Sequence, residues 1–199
     1  MSDTAQLSEK QTAILDCALA LLTETGDAGL TMRKLAERAG MRLSNVQYYF
    51  RSRDDVLTAT TARYVADCTA EIRALTEAAS EATLRERTHL LIETGLRHGD
   101  ELSDMCRTFR ELWAISSRND AVQADLAAYY RSFGALIADF VLGDAATAAQ
   151  RDRVASLLLP FFEGYSVTAA SVPLSTDAVA TMLTELAVSV SAEDNSPAP

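Results

Sequence analysis

Apolar residues along this chain recur at three- and four-residue intervals, and no stretch alternates apolar and polar positions as a strand would. Ile14, Cys17, Ala18, Leu21 and Leu22 share one face of a helix that Ser8 and Gln11 open as a capping box and that Gly26 and Gly29 close. Thr31 is placed to cap a short second helix with Met32, Leu35, Ala36 and Ala39 on its apolar face. Gly40 ends it, and a short third helix carries Val46, Tyr49 and Phe50 at i, i+3 and i+4. Ser52 with Asp55 opens a long fourth helix through Val56, Leu57, Tyr64, Val65, Cys68, Ile72 and Leu75. Later starts are marked by Thr83 with Glu86, by the polar break around Gly99 and Asp100, and by Asp120 with Gln123. A further helix begins near Thr147 and runs to about Ser171; Pro173 and Ser175 separate it from a last one ending near Val190. The expected fold is all-α, with about nine helices and a polar tail over 191–199 that forms no element.

Composition narrows the class. The chain has 199 residues, 48% hydrophobic and 23% charged, which is enough to bury a substantial core. Cys17, Cys68 and Cys106 are widely spaced and form no CxxC pair, which suits buried thiols in a reducing compartment. The start, MSDTAQLSEK, lacks the basic and apolar regions of a signal peptide. The most apolar segment, 154–176, is interrupted by Pro160, Glu163 and Pro173, so no membrane span is expected and a cytoplasmic location is.

The net charge of −10 is unevenly spread. Residues 31–53 hold six basic side chains (Arg33, Lys34, Arg38, Arg42, Arg51, Arg53) and a single acidic one, Glu37. Local charge sets the local field, so an acidic chain can still carry a face for a polyanion. The second and third helices are short, with a glycine at the turn between them, which is the helix-turn-helix arrangement. Val46 and Phe50 would dock the third helix, leaving Arg42, Ser44, Asn45, Gln47 and Tyr48 facing a major groove. Asn and Gln amides pair with an adenine edge, and tyrosine hydroxyls and arginines grip phosphates. Thr31, Arg33 and Tyr49 complete the DNA-facing set, and Arg53 at the start of the fourth helix is expected on one more phosphate.

The run LTMRKLAERAGMRLSNVQYYFRSRDDVL resembles the DNA-binding signature of the TetR family of bacterial transcriptional regulators, over about residues 10–57. The likeness lies in Thr31, Leu35, Ala36, Ala39–Gly40, the aromatic run ending at Phe50 and the Ser-basic-acidic-acidic start of the next helix, all in register. It departs at Arg42, where members carry a capping serine, so Ser44 is expected to cap a later helix start; Ser44 and Gln47 replace the family's glycine and tyrosine. The resemblance implies a three-helix DNA-binding domain over residues 1–53 and a larger helical ligand-binding and dimerisation domain over 54–190. It also implies a homodimer on a double-stranded DNA operator, released when a small-molecule effector moves the fourth helix and changes the separation of the reading heads.

The C-terminal two-thirds resembles the family in helix count and length rather than in sequence. LLLPFFEGYSVTAAS fits the family's penultimate helix, and with the last helix it would pair with its mate through Phe161, Tyr165, Val179, Met182, Leu183 and Leu186, Gly164 allowing close approach. Tyr64, Met105, Phe109, Arg110, Trp113, Tyr129, Phe133 and Phe162 are the pocket candidates, suiting an apolar or aromatic effector.

Catalysis is not expected. Gly164-Tyr165-Ser166 begins like a nucleophile elbow but lacks the second glycine and a preceding strand. His89 and Glu93 stand at i and i+4, yet His98 faces elsewhere and no cysteine accompanies them, so neither metal nor cofactor is expected. The rival that keeps the fold is a DNA-binding dimer, architectural or partner-controlled, that senses no small molecule.

Overall fold

A computed structural model of the chain describes residues 8–79, 81–101 and 104–192, the side chains of Asp104 and Met105 excepted. The described residues form nine α-helices and no strand: α1 (Glu9–Thr25), α2 (Met32–Arg38), α3 (Leu43–Tyr49), α4 (Arg53–Ala78), α5 (Leu84–Asp100), α6 (Asp104–Ser116), α7 (Asp120–Leu142), α8 (Ala148–Thr168) and α9 (Thr176–Ala192). Short 3-10 turns follow α1 (Asp27–Gly29) and α8 (Ala169–Ser171). Reciprocal capping boxes open α1 (Ser8, Gln11) and α5 (Thr83, Glu86), as the sequence predicts, and α8 begins where expected at Thr147, with Gln150 completing a third box. The Ser52–Asp55 pair is also formed, each backbone N–H reaching the other side chain at 3.1 Å.

Three boundaries differ from the sequence reading. The cap of α7 is Asn119, whose side-chain oxygen accepts the N–H groups of Ala121 and Val122 at 3.1 Å, so Asp120 is already inside the helix. Gly99 lies within α5, whose last residue is Asp100, so the break expected around these two residues comes directly after them. Ser191 and Ala192 belong to α9; the rest of the expected tail, 193–199, lies outside the described residues.

The chain divides into two compact units. The C-terminal unit comprises Asp67–Cys106 and Ala127–Pro199. Within it α5 packs on α8 and α9, which pack on each other. Close approach of α5 to α8 needs small residues: a Cβ on Gly95 would stand 2.8 Å from the Phe162 ring, and one on Gly99 3.2 Å from the Ser166 backbone. Ile92, Leu96, Ile137 and Leu158 are fully buried in the resulting core, and Val179, Leu183 and Ala187 of α9 close it. Glu163 on α8 accepts a hydrogen bond from Tyr130 on α7, but burial dominates and pushes its carboxyl up to about 7.

The N-terminal unit comprises Met1–Ala66 and Arg107–Leu126. It is tied by a polar node at Asp27. Arg53 donates to the Leu30 carbonyl (2.8 Å), to the Asp27 carbonyl (3.0 Å) and to the Asp27 carboxylate. Arg118 holds the other carboxylate oxygen at 2.6 Å, and the Asp27 N–H donates to Glu111 on α6 at 3.1 Å. Burial alone would raise the Asp27 carboxyl; the bonds from Arg118 and Arg53 outweigh it and hold it below the usual carboxylate range.

Both carboxyls give a stability test. Glu163 keeps its proton in the fold to a higher pH than in the unfolded chain, so stability falls as pH rises from the ordinary carboxylate range through about 7. Glu163→Gln is expected to stabilise by on the order of 2 kcal/mol near pH 8 and to be neutral near pH 4, measured by urea unfolding at both values. Asp27 has the opposite sign: its contribution is full at neutral pH and fades in acid. Asp27→Ala is expected to lose about 1–2 kcal/mol at neutral pH, with the difference from wild type shrinking as the carboxylate is protonated.

Candidate nucleic-acid interface

The two short helices are held by local geometry that the sequence specifies. Gly40 takes φ +63° and closes α2 as a Schellman turn, its N–H on the Glu37 carbonyl (3.1 Å) and that of Met41 on the Ala36 carbonyl (2.9 Å). Leu35 and Ala36 of α2 and Val46 of α3 are buried, with Phe50 just beyond, so α3 docks by the residues expected to anchor it. Thr31 caps α2 by accepting the Lys34 N–H at 3.3 Å. Arg42 occupies the N-cap position of α3 without a side-chain bond, and the helix begins at Leu43; Ser44 does not cap it and lies exposed inside the first turn.

That arrangement leaves a polar face outward. Arg42, Ser44, Asn45, Gln47 and Tyr48 are all exposed, Tyr48 by 81%, and Tyr49 stands edge-on to Tyr48 with ring centroids 5.1 Å apart. Thr31 and Arg33 are exposed on the neighbouring helix. The cations of residues 31–53 fall into two groups. Arg38 is bonded through both terminal nitrogens to Glu24 (2.6 and 2.5 Å), and Arg53 is turned into the Asp27 node. Arg53 is thus engaged within the fold rather than set out for a phosphate, as the sequence reading had it. Arg33, Lys34, Arg42 and Arg51 remain exposed. Lys10, absent from the sequence-derived set, lines a cleft of about 190 Å³ with Met41, Asn45, Tyr48 and Tyr49. Its signal in the sequence is a lone cation a full helix away from the arginine-rich stretch.

The pocket candidates fall in both units. In the N-terminal unit Tyr64 and Phe109 are buried and pack edge to face at 5.4 Å; Arg110 is half-buried and Trp113 is 42% exposed. In the C-terminal unit Tyr129 stacks on Phe133 at 5.0 Å, and Phe162 lies against Gly95. The side chain of Met105 lies outside the described residues. A groove of about 380 Å³ between α7 and α8 is lined by other residues, among them Tyr130, Arg131, Ala135, Ser156 and Pro160.

The proposed pairing residues divide as well. Tyr165, Val179 and Leu183 are buried in the chain's own core, so they hold α8 and α9 to each other and to α5 rather than face outward. Phe161 is half-buried, stacked on Tyr165 at 6.1 Å. Met182 and Leu186 are exposed. His89 bonds Thr184 at 3.2 Å, and among the described residues no cluster of histidine, cysteine or carboxylates is arranged to hold a metal. No helix among them is long and apolar enough to cross a membrane.

Residues 14–60 match the family model of bacterial regulatory proteins of the tetR family. The chain is 40% identical, over 177 residues, to an uncharacterised helix-turn-helix-type transcriptional regulator in the dhlA 5′ region of Xanthobacter autotrophicus, covering 89% of this chain and 88% of that one. The fold is shared with a regulator from Rhodococcus sp. described as TetR-family (TM-score 0.71, 22% identity, 94% of this chain and 100% of that chain). It is shared too with the regulator FadR of Bacillus subtilis, solved in complex with stearoyl-CoA (TM-score 0.68, 15% identity, 90% and 98%). The anchored α3 with its exposed polar face and the extent of the Xanthobacter likeness lead to one assignment: the chain belongs to the TetR family of bacterial regulatory proteins and is a helix-turn-helix DNA-binding transcriptional regulator.

Proposed function

We propose that two copies of this chain bind a palindromic operator in the cytoplasm as a repressor, and that a small apolar molecule releases them. The observation that carries the reading is the exposed face of α3, where Arg42, Ser44, Asn45, Gln47 and Tyr48 stand over the buried anchors Val46 and Phe50. Thr31, Arg33 and Tyr49 take the flanking phosphates. Pairing is supported by the outer surface of α8 and α9, where Val167, Met182 and Leu186 are 59%, 56% and 48% exposed. Gly164 is exposed on α8 with nothing within 4 Å of an added Cβ, room for a partner helix to approach closely. A two-fold pair sets two reading heads on half-sites one helical turn, about 34 Å, apart.

The effector reading draws on two aromatic groups, each within one unit: Tyr64 and Phe109, with Arg110 and Trp113, in the N-terminal unit, and Tyr129, Phe133 and Phe162 in the C-terminal unit. The stearoyl-CoA in the FadR complex makes an acyl-chain compound a reasonable first class to screen. α4 is one unbroken helix whose residues divide between the two units, a suitable lever for such a signal. One observation favours the second reading, a dimer without small-molecule control: Tyr64 packs on Phe109 and Tyr129 on Phe133, so these rings already fill part of their own surroundings.

Fluorescence anisotropy with labelled DNA from upstream of the chain's own gene tests the reading. Binding of two or more protomers per duplex, steeply weakened by salt and absent from a scrambled duplex, is expected. Release by an acyl-CoA or another apolar compound would favour the sensor, and insensitivity to a broad set the second reading. Replacing Met182 and Leu186 together by Glu is expected to convert dimer to monomer in sedimentation velocity and to weaken operator binding at least about tenfold, with helical content unchanged. A dimer that survives the double substitution would place the interface elsewhere.

A further inference from the structure

The family match begins at residue 14, so Lys10 lies outside the segment that defines the DNA-binding region. Lys10 is the second residue of α1, exposed, and engaged in no ion pair among the described residues. With Met41, Asn45, Tyr48 and Tyr49 it lines the cleft of about 190 Å³ beside α3. The cleft therefore joins α1, the turn after α2 and the recognition helix, and two of its lining residues, Asn45 and Tyr48, are also on the outward face of α3.

We infer that this cleft seats one sugar–phosphate unit of the DNA backbone, with Lys10 as the cation that holds the phosphate. This rests on the DNA-binding reading above and extends it to α1. The lining supplies what such a unit needs. Lys10 brings a full positive charge and three donors; Asn45 and the two tyrosines bring neutral donors. Met41 and the tyrosine rings offer an apolar surface to the face of a deoxyribose. Of the cations around α3, Arg38 and Arg53 are engaged with Glu24 and Asp27 while Arg42 and Arg51 stay exposed; Lys10 adds to these two a charge from α1, on the other side of the cleft.

The contact is to backbone, so it adds affinity without sequence preference, and its signature is a change in salt dependence common to all duplexes. The experiment compares full-length wild type, Lys10→Gln and Lys10→Arg on two duplexes of about 30 base pairs, one from upstream of the gene and one scrambled. On the upstream duplex, the slope of log affinity against log salt is expected to be shallower by about 1.8 for Lys10→Gln, about 0.9 for each protomer of the bound pair, with Lys10→Arg close to wild type. The ratio of affinities for the two duplexes should be the same for wild type and Lys10→Gln. A wild-type slope in Lys10→Gln would overturn the inference, and so would a loss of preference between duplexes, which marks a base contact instead. Lost helicity in Lys10→Gln is controlled by Lys10→Arg and by a second measurement: single methylphosphonates stepped along the upstream duplex. One position in each half-site should weaken wild type and leave Lys10→Gln unaffected; if every position affects both alike, no phosphate belongs to Lys10. Failure of wild type to bind either duplex would remove the DNA-binding reading itself, and with it this one.

Discussion

Helices of seven residues do not hold themselves together, since so short a segment cannot repay the cost of nucleation. The DNA-facing pair α2 and α3 therefore depends on what fixes it from behind, and the polar constraint there is the node at Asp27. A single carboxylate takes Arg53 from the start of α4 and Arg118 from beyond α6, while Glu111 of α6 takes the Asp27 N–H. The same Arg53 reaches the Leu30 carbonyl, one residue before the cap of α2. The loop entering the helix-turn-helix is thus bonded to two helices at once. A displacement of Glu111 on α6 reaches that loop through one hydrogen bond, within a single compact unit.

This arrangement also explains how an acidic chain presents a face to DNA. The basic residues of 31–53 have different tasks, and a count of charges does not separate them. Arg38 and Arg53 are paired with Glu24 and Asp27, and their role is to set positions; Arg33, Lys34, Arg42 and Arg51 stay in water. The apolar anchors Val46 and Phe50 fix the rotation of α3, so the amides and hydroxyls between them have one direction in which to point. Exposed cations attract a polyanion over a long range that salt shortens, whereas the partly buried node is much less screened.

What the sequence made legible was local. Ser8 with Gln11, Thr83 with Glu86 and Thr147 with Gln150 each carry their own partner three residues away, so the boundary can be read without knowing the fold. What it hid was mostly long-range. Arg53 finds Asp27 from 26 positions away, and nothing in the RSRDD run distinguishes an inward guanidinium from an outward one. Gly99 looked like a helix break because glycine is a poor helix former, yet it is retained inside α5 where Tyr165 and Ser166 come close. In α9 the apolar positions cover more than one face. Periodicity therefore could not say that Val179 and Leu183 turn inward while Met182 and Leu186 turn out. Lys10 was missed for a similar reason, since its neighbours in the cleft are more than thirty positions away along the chain.

In the proposed pair, two copies of α3 related by a two-fold axis read DNA in adjacent turns of the major groove. Selection of binding sites by the purified protein from a pool of random-sequence duplexes tests it most directly, because the operator need not be identified beforehand. An enriched inverted repeat is expected, its half-site centres about one helical turn, or a multiple of it, apart. Enrichment of a single asymmetric site, or of no sequence at all, would contradict it.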